Sequence, residues 1–319
     1  MMPRIAFFAR LLPPLICLAV SAPATALKFP LPPDDVGVVG EIRRVEAQGD
    51  ETLLDIGRRH GLGYEEMRLA NPGVDIWLPG EGTEVLVPTR FVLPQAPREG
   101  VVLNVAEMRL YYYPEAGERV ETYPVSIGRQ DWSTPLGVTR IVDKVRDPTW
   151  TPPQSIREEA AAEGQELPAV VAAGPDNPLG RFKMRLELPG YLIHGTNRPW
   201  GVGMRVTHGC VRMYPEDIEN LFGRLPAGTS VRIVNQPVKA GWFAGILYLE
   251  SHPPLQEDLG RAHPLASAVE AVAALLGPAE TRIDHDRLRA VALQRSGLPE
   301  PVSRDDTARR PGSPALAGG

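Results

Sequence analysis

Cysteine is almost missing from the 319-residue chain: Cys17 and Cys210 are its only thiols, too few for a disulfide framework. An excess of basic charge is missing as well. The 34 Lys and Arg are outnumbered by 39 Asp and Glu, for a formal net charge of −5, so no broad cationic surface is on offer to phosphate backbones and nucleic acid is excluded as a partner. Long apolar runs are equally absent. The best stretch, Leu11 to Val20, carries Pro13-Pro14 and follows Arg10, whereas a spanning helix needs about 20 apolar residues. Pro is abundant instead, with 34 residues, about twice its usual share. That argues against a long-helix bundle and for strands and loops, and an apolar content of 43% excludes disorder throughout.

What is present begins with an address. Arg4 and Arg10 accompany the apolar stretch, and Ala24-Thr25-Ala26 supplies small residues at cleavage spacing, which reads as a secretory signal peptide over residues 1–26. Cys17 follows the bulky Ile16, a poor context for lipidation. Loss of the leader leaves Cys210 as the sole thiol. In an oxidising compartment a solitary Cys is either a buried small hydrophobe or a thiol kept for chemistry.

Three textures follow the leader. Lys28 to Gly40 is Pro-rich and reads as an extended lead-in. Residues 42–88 read as strand, helix, helix, strand: Thr52 is an N-cap candidate before Leu53 and Ile56, Met67 and Leu69 mark a second helix, and Glu84 to Val87 is a closing strand. Residues 98–237 have strand periodicity in Val101 to Val105, Arg109 to Tyr113, Val120 to Ile127, Val138 to Val142, Phe182 to Leu186, Tyr191 to Ile193 and Ser230 to Val234, with helices expected near Ser155 to Gln165 and Asp217 to Phe222. The fold class is therefore mainly β with small helices. Residues 238–319 are expected to be a C-terminal extension, helical at Leu265 to Leu276 and Asp284 to Gln294 and disordered from Pro299. His252, His263 and His285 read as ordinary surface residues.

The chemistry concentrates between residues 191 and 213. A thiol is a competent nucleophile only when its proton is removed, and two imidazoles are at hand. His194 ends an apolar strand and lies far enough upstream for a loop to return beside Cys210. His208, two residues from Cys210, shares its face if the backbone is extended. Gly209 allows close approach and can direct N–H groups at an oxyanion. Arg212, again two residues on, can offer a forked cation to a carboxylate. The rival readings are a buried space-filling Cys and a zinc site of His194, His208 and Cys210, which lacks a paired-Cys spacing and a fourth ligand.

His194-Gly195-Thr196, followed by Thr207-His208-Gly209-Cys210-Val211-Arg212-Met213, resembles the signature of the L,D-transpeptidases with a YkuD-type catalytic domain. Asn104 with Arg109 to Tyr112, Thr134 to Gly137 and Gly174 to Gly180 match in support. Gly49 to Leu53, Ala70-Asn71-Pro72 and Val85 to Pro88 resemble a LysM module, a β-α-α-β fold that binds glycans containing N-acetylglucosamine. The pair resembles the Gram-negative periplasmic branch, which includes enzymes that anchor the outer-membrane lipoprotein.

The resemblance implies a catalytic set of Cys210 as nucleophile, His194 as proton carrier, His208 in support and Gly209 at the oxyanion. It places Arg212, Thr207, Gly195 and Thr196 on the substrate side, with Thr207 where many members have Ser. It implies peptidoglycan tetrapeptide stems and glycan strands as partners, no cofactor and no metal. The reaction is acyl transfer through a thioester to a diaminopimelate amine, giving a 3→3 crosslink, or to the terminal Lys of the lipoprotein. Carbapenems are expected to acylate the thiol. Two alternatives stay open at this point: a hydrolase, either an L,D-carboxypeptidase or a lipoprotein-releasing amidase, and a non-catalytic glycan-binding wall protein.

Overall fold

The computed structural model describes residues 26–115, 117–277 and 281–304. All but the last residue of the expected leader lies outside the described residues. Ala26 is buried, and it opens directly into strand β1, Leu27–Pro30. This corrects the reading of that segment as a lead-in: β1 pairs antiparallel with a strand of the main sheet, Leu27 opposite Thr122. Its alternation places Leu27 and Phe29 against a core, while Pro30, which cannot donate to a ladder, comes last.

Next come β2 (Val38–Glu46), α1 (Leu53–Arg59), α2 (Tyr64–Ala70) and β3 (Glu84–Val92). Thr52 caps α1 in a capping box, its hydroxyl accepting from the Asp55 N–H while the Asp55 carboxylate accepts from the Thr52 N–H. The strands pair antiparallel from Val38 with Val92 to Glu46 with Glu84, longer at both ends than residues 42–88. Their unit has no private core. Leu53, Ile56, Met67, Val85 and Val87 pack in one cluster with Val102, Tyr111, Tyr113 and Val120 of the main sheet.

That sheet is built from β4 (Gly100–Asn104), β5 (Arg109–Tyr113), β6 (Arg119–Gly128), β7 (Gly137–Arg146), helix α3 (Gln154–Ala162), β8 (Phe182–Leu186), β9 (Leu192–His194), β10 (Arg205–Thr207), β11 (Val211–Met213), helix α4 (Pro215–Arg224) and β12 (Ser230–Val234). Strands β6, β11, β9, β8, β7, β12, β4 and β5 are hydrogen-bonded in that order, and β5 returns to β6, so the path closes on itself. Closure leaves few free edges. The interior holds Leu103, Leu110, Tyr123, Ile141, Phe182, Ile193 and Val211, with Ile218 and Leu221 of α4 against them. At about 25 cal/mol per Å² of apolar area buried, this cluster is the main reason the chain folds.

The C-terminal segment departs from expectation. It contains β13 (Val238–Phe243), β14 (Ile246–Ser251), α5 (Pro264–Ala273), α6 (His285–Gln294) and β15 (Glu300–Pro301), and the three strands form a sheet covered by the two helices. The hairpin turns on Ala244-Gly245, both with positive φ, which is two-residue turn chemistry without the usual Asn-Gly cue. Pro299 does not begin a disordered tail: Val302 is fully buried, and the part of the expected tail beyond Arg304 lies outside the described residues.

His252 is likewise not a surface residue. It is buried beside Glu250, with its Nε2 2.7 Å from Glu250 Oε1. Lys239 Nζ donates to Glu107 Oε2 at 2.6 Å and to the Val92 carbonyl at 2.6 Å, and lies 2.8 Å from Glu250 Oε1. The Val92 N–H donates to Glu250 Oε2 and the Tyr111 hydroxyl to Glu107 Oε2. One buried ammonium thus binds β3, the main sheet and the C-terminal sheet together. Replacing Lys239 by Met strands two buried carboxylates, so we expect a loss of about 3–5 kcal/mol in urea unfolding, and the double variant Lys239→Met with Glu107→Gln should regain part of it.

Candidate active site

The catalytic loop is positioned by a short parallel pairing: Ile193 lies opposite Val211 and His194 opposite Arg212. Residues at one level of a sheet share a face, so Ile193, Val211 and Met213 enter the core while His194 and Arg212 emerge together on the other side. Cys210, the residue just before β11, lies within the field of Arg212. Its Sγ lies 3.7 Å from the Gly190 carbonyl.

The electrostatics favour an uncharged resting pair. His194 is buried, with Nδ1 2.6 Å from the Gly195 carbonyl oxygen. A carbonyl only accepts, so Nδ1 carries the proton and Nε2 presents its lone pair. Burial first, and the nearby Arg212 charge second, bring the His194 pKa down to about 3 against the opposing pull of the Gly195 carbonyl. Burial also pushes the Cys210 thiol up, although Leu192 backbone hydrogen bonding and Arg212 pull the other way. Burial thus favours a protonated thiol and a neutral imidazole in the free protein, and not a thiolate-imidazolium pair.

The loop backbone is wound for its task. Gly209 has φ of 94°, a left-handed value that favours glycine, and a Cβ there would sit 2.7 Å from Tyr191 Cε1. Thr134 Oγ1 donates to the Gly209 carbonyl at 2.9 Å and accepts from the Gly128 N–H. In a trans peptide the N–H opposes the C=O, so pinning the Gly209 carbonyl inward turns the Cys210 N–H outward, toward a site where an oxyanion can form.

The remaining candidates divide. Thr207 is buried and its hydroxyl donates to the Cys210 carbonyl at 2.6 Å, which puts it beneath the nucleophile. Gly195 is packed 3.1 Å from Ile218 at its missing Cβ and supplies the acceptor for His194. Thr196 is buried and its Oγ1 accepts from the Arg198 N–H. His208, next to the left-handed Gly209, turns to α3 and Trp132. Its Nε2 lies 2.6 Å from Glu159 Oε2 of α3, and its ring meets the edge of Trp132 at 5.3 Å. Among the described residues, the acidic and imidazole groups that converge as a metal site would are Glu107, Glu250 and His252, and there the Lys239 ammonium already occupies the centre.

A cleft of about 630 Å³ opens beside the loop, walled by Arg129, Glu159, Arg198, Trp200, His208 and Arg212. Arg212 Nε is buried without a hydrogen-bond partner. Glu159, Arg198 and Trp200 had no sequence signal; Glu159 is one of several acids in an Ala- and Glu-rich helix, and only the packing of α3 against the loop selects it. Because the thiol is raised and its neighbour neutral, alkylation of Cys210 by iodoacetamide should speed up by about tenfold per pH unit through neutrality and beyond pH 9. Intact-mass kinetics that level off by pH 7 would contradict the neutral pair.

Residues 98–233 match the family model YkuD, L,D-transpeptidase catalytic domain. The chain is 41% identical over 295 residues to the probable L,D-transpeptidase YcfS of Escherichia coli K12, covering 90% of this chain and 92% of that protein. It is 39% identical over 305 residues to the probable L,D-transpeptidase ErfK/SrfK of Salmonella typhimurium, covering 94% and 97%. Against the probable L,D-transpeptidase YbiS of E. coli K12 it is 42% identical over 236 residues, 73% of this chain and 77% of that one. A match this long, running through the Cys210 loop and its scaffold alike, makes the chain an enzyme of the YkuD family, an L,D-transpeptidase.

Proposed function

We propose that the enzyme acts on peptidoglycan in the periplasm, reached through a cleavable leader, by two-step acyl exchange. Cys210 Sγ attacks the carbonyl of the L-centre of meso-diaminopimelate in a tetrapeptide stem while His194 Nε2 takes the thiol proton. The oxyanion is held by the Cys210 N–H. Collapse breaks the amide, His194 returns the proton to the leaving nitrogen, and D-Ala departs, leaving a thioester. An acceptor amine then attacks, loses a proton to His194 and expels the thiol. The acceptor is the side-chain amine of a second diaminopimelate, forming a 3→3 crosslink, or the terminal Lys of the outer-membrane lipoprotein. Amide is exchanged for amide, so no nucleotide, metal or other cofactor is needed.

The observation that carries this reading is the His194 tautomer, with its free Nε2 on the strand paired to the Cys210 strand. Arg212, buried at Nε without an acceptor, is placed to hold a stem carboxylate. Thr207 and His208 act as positioning residues, Thr207 on the Cys210 carbonyl and His208 by tying the loop to α3. For the unit of residues 42–88 we favour a LysM-like role in holding glycan strands: a groove of about 240 Å³ runs from Thr52 and Asp55 past Trp77 to Trp200, and the two tryptophans are 58% and 57% exposed.

Incubating the mature protein with tetrapeptide muropeptides and lipoprotein together, followed by mass spectrometry, should give transfer products that vanish in Cys210→Ala. Products surviving that change would falsify the mechanism, and tripeptides alone would indicate water as the acceptor. Gly209→Ala should lower turnover by about 100-fold or more with a native circular dichroism spectrum; turnover within threefold of wild type would exclude the oxyanion role of this turn.

A further inference from the structure

The cleft contains a charge imbalance of which the reaction proposed above uses only Arg212. The other arginine of its wall is matched, Arg129 being paired with Glu159, and outside the cleft Arg205 of β10 is bidentate on Glu257 at 2.8 and 3.0 Å. Among the described residues, neither Arg198 nor Arg212 has a carboxylate partner. Both line the same cleft. Burial first, and the field of Arg198 after it, weaken the hold of Arg212 on its charge, so the two guanidinium groups feel one another. The unpaired acids of the cleft wall, Glu163 and Asp176, make no ion pair with either.

The Arg198 backbone is held in place. Its N–H donates to Thr196 Oγ1 at 2.9 Å, and Asn197 Nδ2 donates to the Asp176 carbonyl at 3.0 Å, while a helical turn at Pro199–Gly201 follows. The side chain is exposed. A half-buried and an exposed guanidinium lining one concave surface, without a carboxylate partner among the described residues, suit a ligand that brings two carboxylates of its own.

We propose that Arg198 is a specificity-determining residue that, with Arg212, clamps two carboxylates of the donor stem, and that Arg198 reads the free carboxylate on the side-chain centre of diaminopimelate. The proposal rests on the stem-peptide reading above. Such a donor carries one carboxylate on the terminal D-Ala, adjoining the scissile bond, and another on the far centre of diaminopimelate, several methylenes away. Arg212, whose charge reaches Cys210, takes the near one. Arg198, on the loop after His194 and open to solvent, takes the far one. Amidation of that far carboxylate keeps its shape and removes its charge, so it isolates the contact.

The test compares kcat and KM for tetrapeptide donors with the far carboxylate free or amidated, in wild type, Arg198→Gln and Arg198→Lys. We expect wild type to favour the free acid by about 10- to 100-fold in kcat/KM, mainly through KM. Arg198→Gln should fall to one low value on both donors, and Arg198→Lys should regain part of the preference. Equal losses on both donors in Arg198→Gln, or a wild type indifferent to amidation, would overturn the clamp while leaving the transfer mechanism standing. Turnover of neither donor by wild type would overturn both. Unchanged iodoacetamide labelling of Cys210 in Arg198→Gln checks that the site remains folded.

Discussion

Everything chemical in this enzyme depends on a short parallel contact, Leu192–His194 against Val211–Met213. It brings His194 of one strand level with Arg212 of the next, just past Cys210, while the intervening Ile193, Val211 and Met213 anchor the pair in the core. The fit is stiff because cores pack at crystal-like density. A slip of one residue would exchange the two faces and bury the wrong side chains.

The same burial decides the protonation chemistry. A low-dielectric surrounding makes charge costly on thiol and imidazole alike, and the Arg212 cation adds a specific penalty on His194. In the proposed reaction, proton transfer is thereby deferred to the attack itself. A thiol also gains from being kept protonated, since the thiolate is the form that oxidises.

The three parts of the chain are coupled by buried charge. Lys239 joins β3, the main sheet and the C-terminal sheet, and Arg109 of β5, wholly buried, reaches Glu66 of α2 at 2.6 Å and the Gly61 carbonyl at 3.0 Å. Breaking such pairs leaves an uncompensated ion inside the protein, so the relative placement of the α1–α2 unit and the main sheet is strongly specified. Trp200 then stands between the α1 groove and the catalytic cleft, lining both.

Local pattern was enough for much of this. Period-two alternation announced β4 to β8 and β12, Thr52 announced the start of α1, and the run from His194 to Met213 announced the YkuD family. What stayed hidden was whatever depends on a distant partner. Strand β1 is too short to signal itself and exists because β6 accepts it. Lys239, Glu250 and His252 look like surface residues until three sheets converge on them, and His208, next to a left-handed glycine, turns to Glu159. The sequence by itself determined the family and which reactive side chains the chain carries, since reactivity resides in the side chains. Only the tertiary structure decided which of them meet, which are charged, and which arginines remain free for a substrate, because burial and counter-ions are properties of the packed molecule.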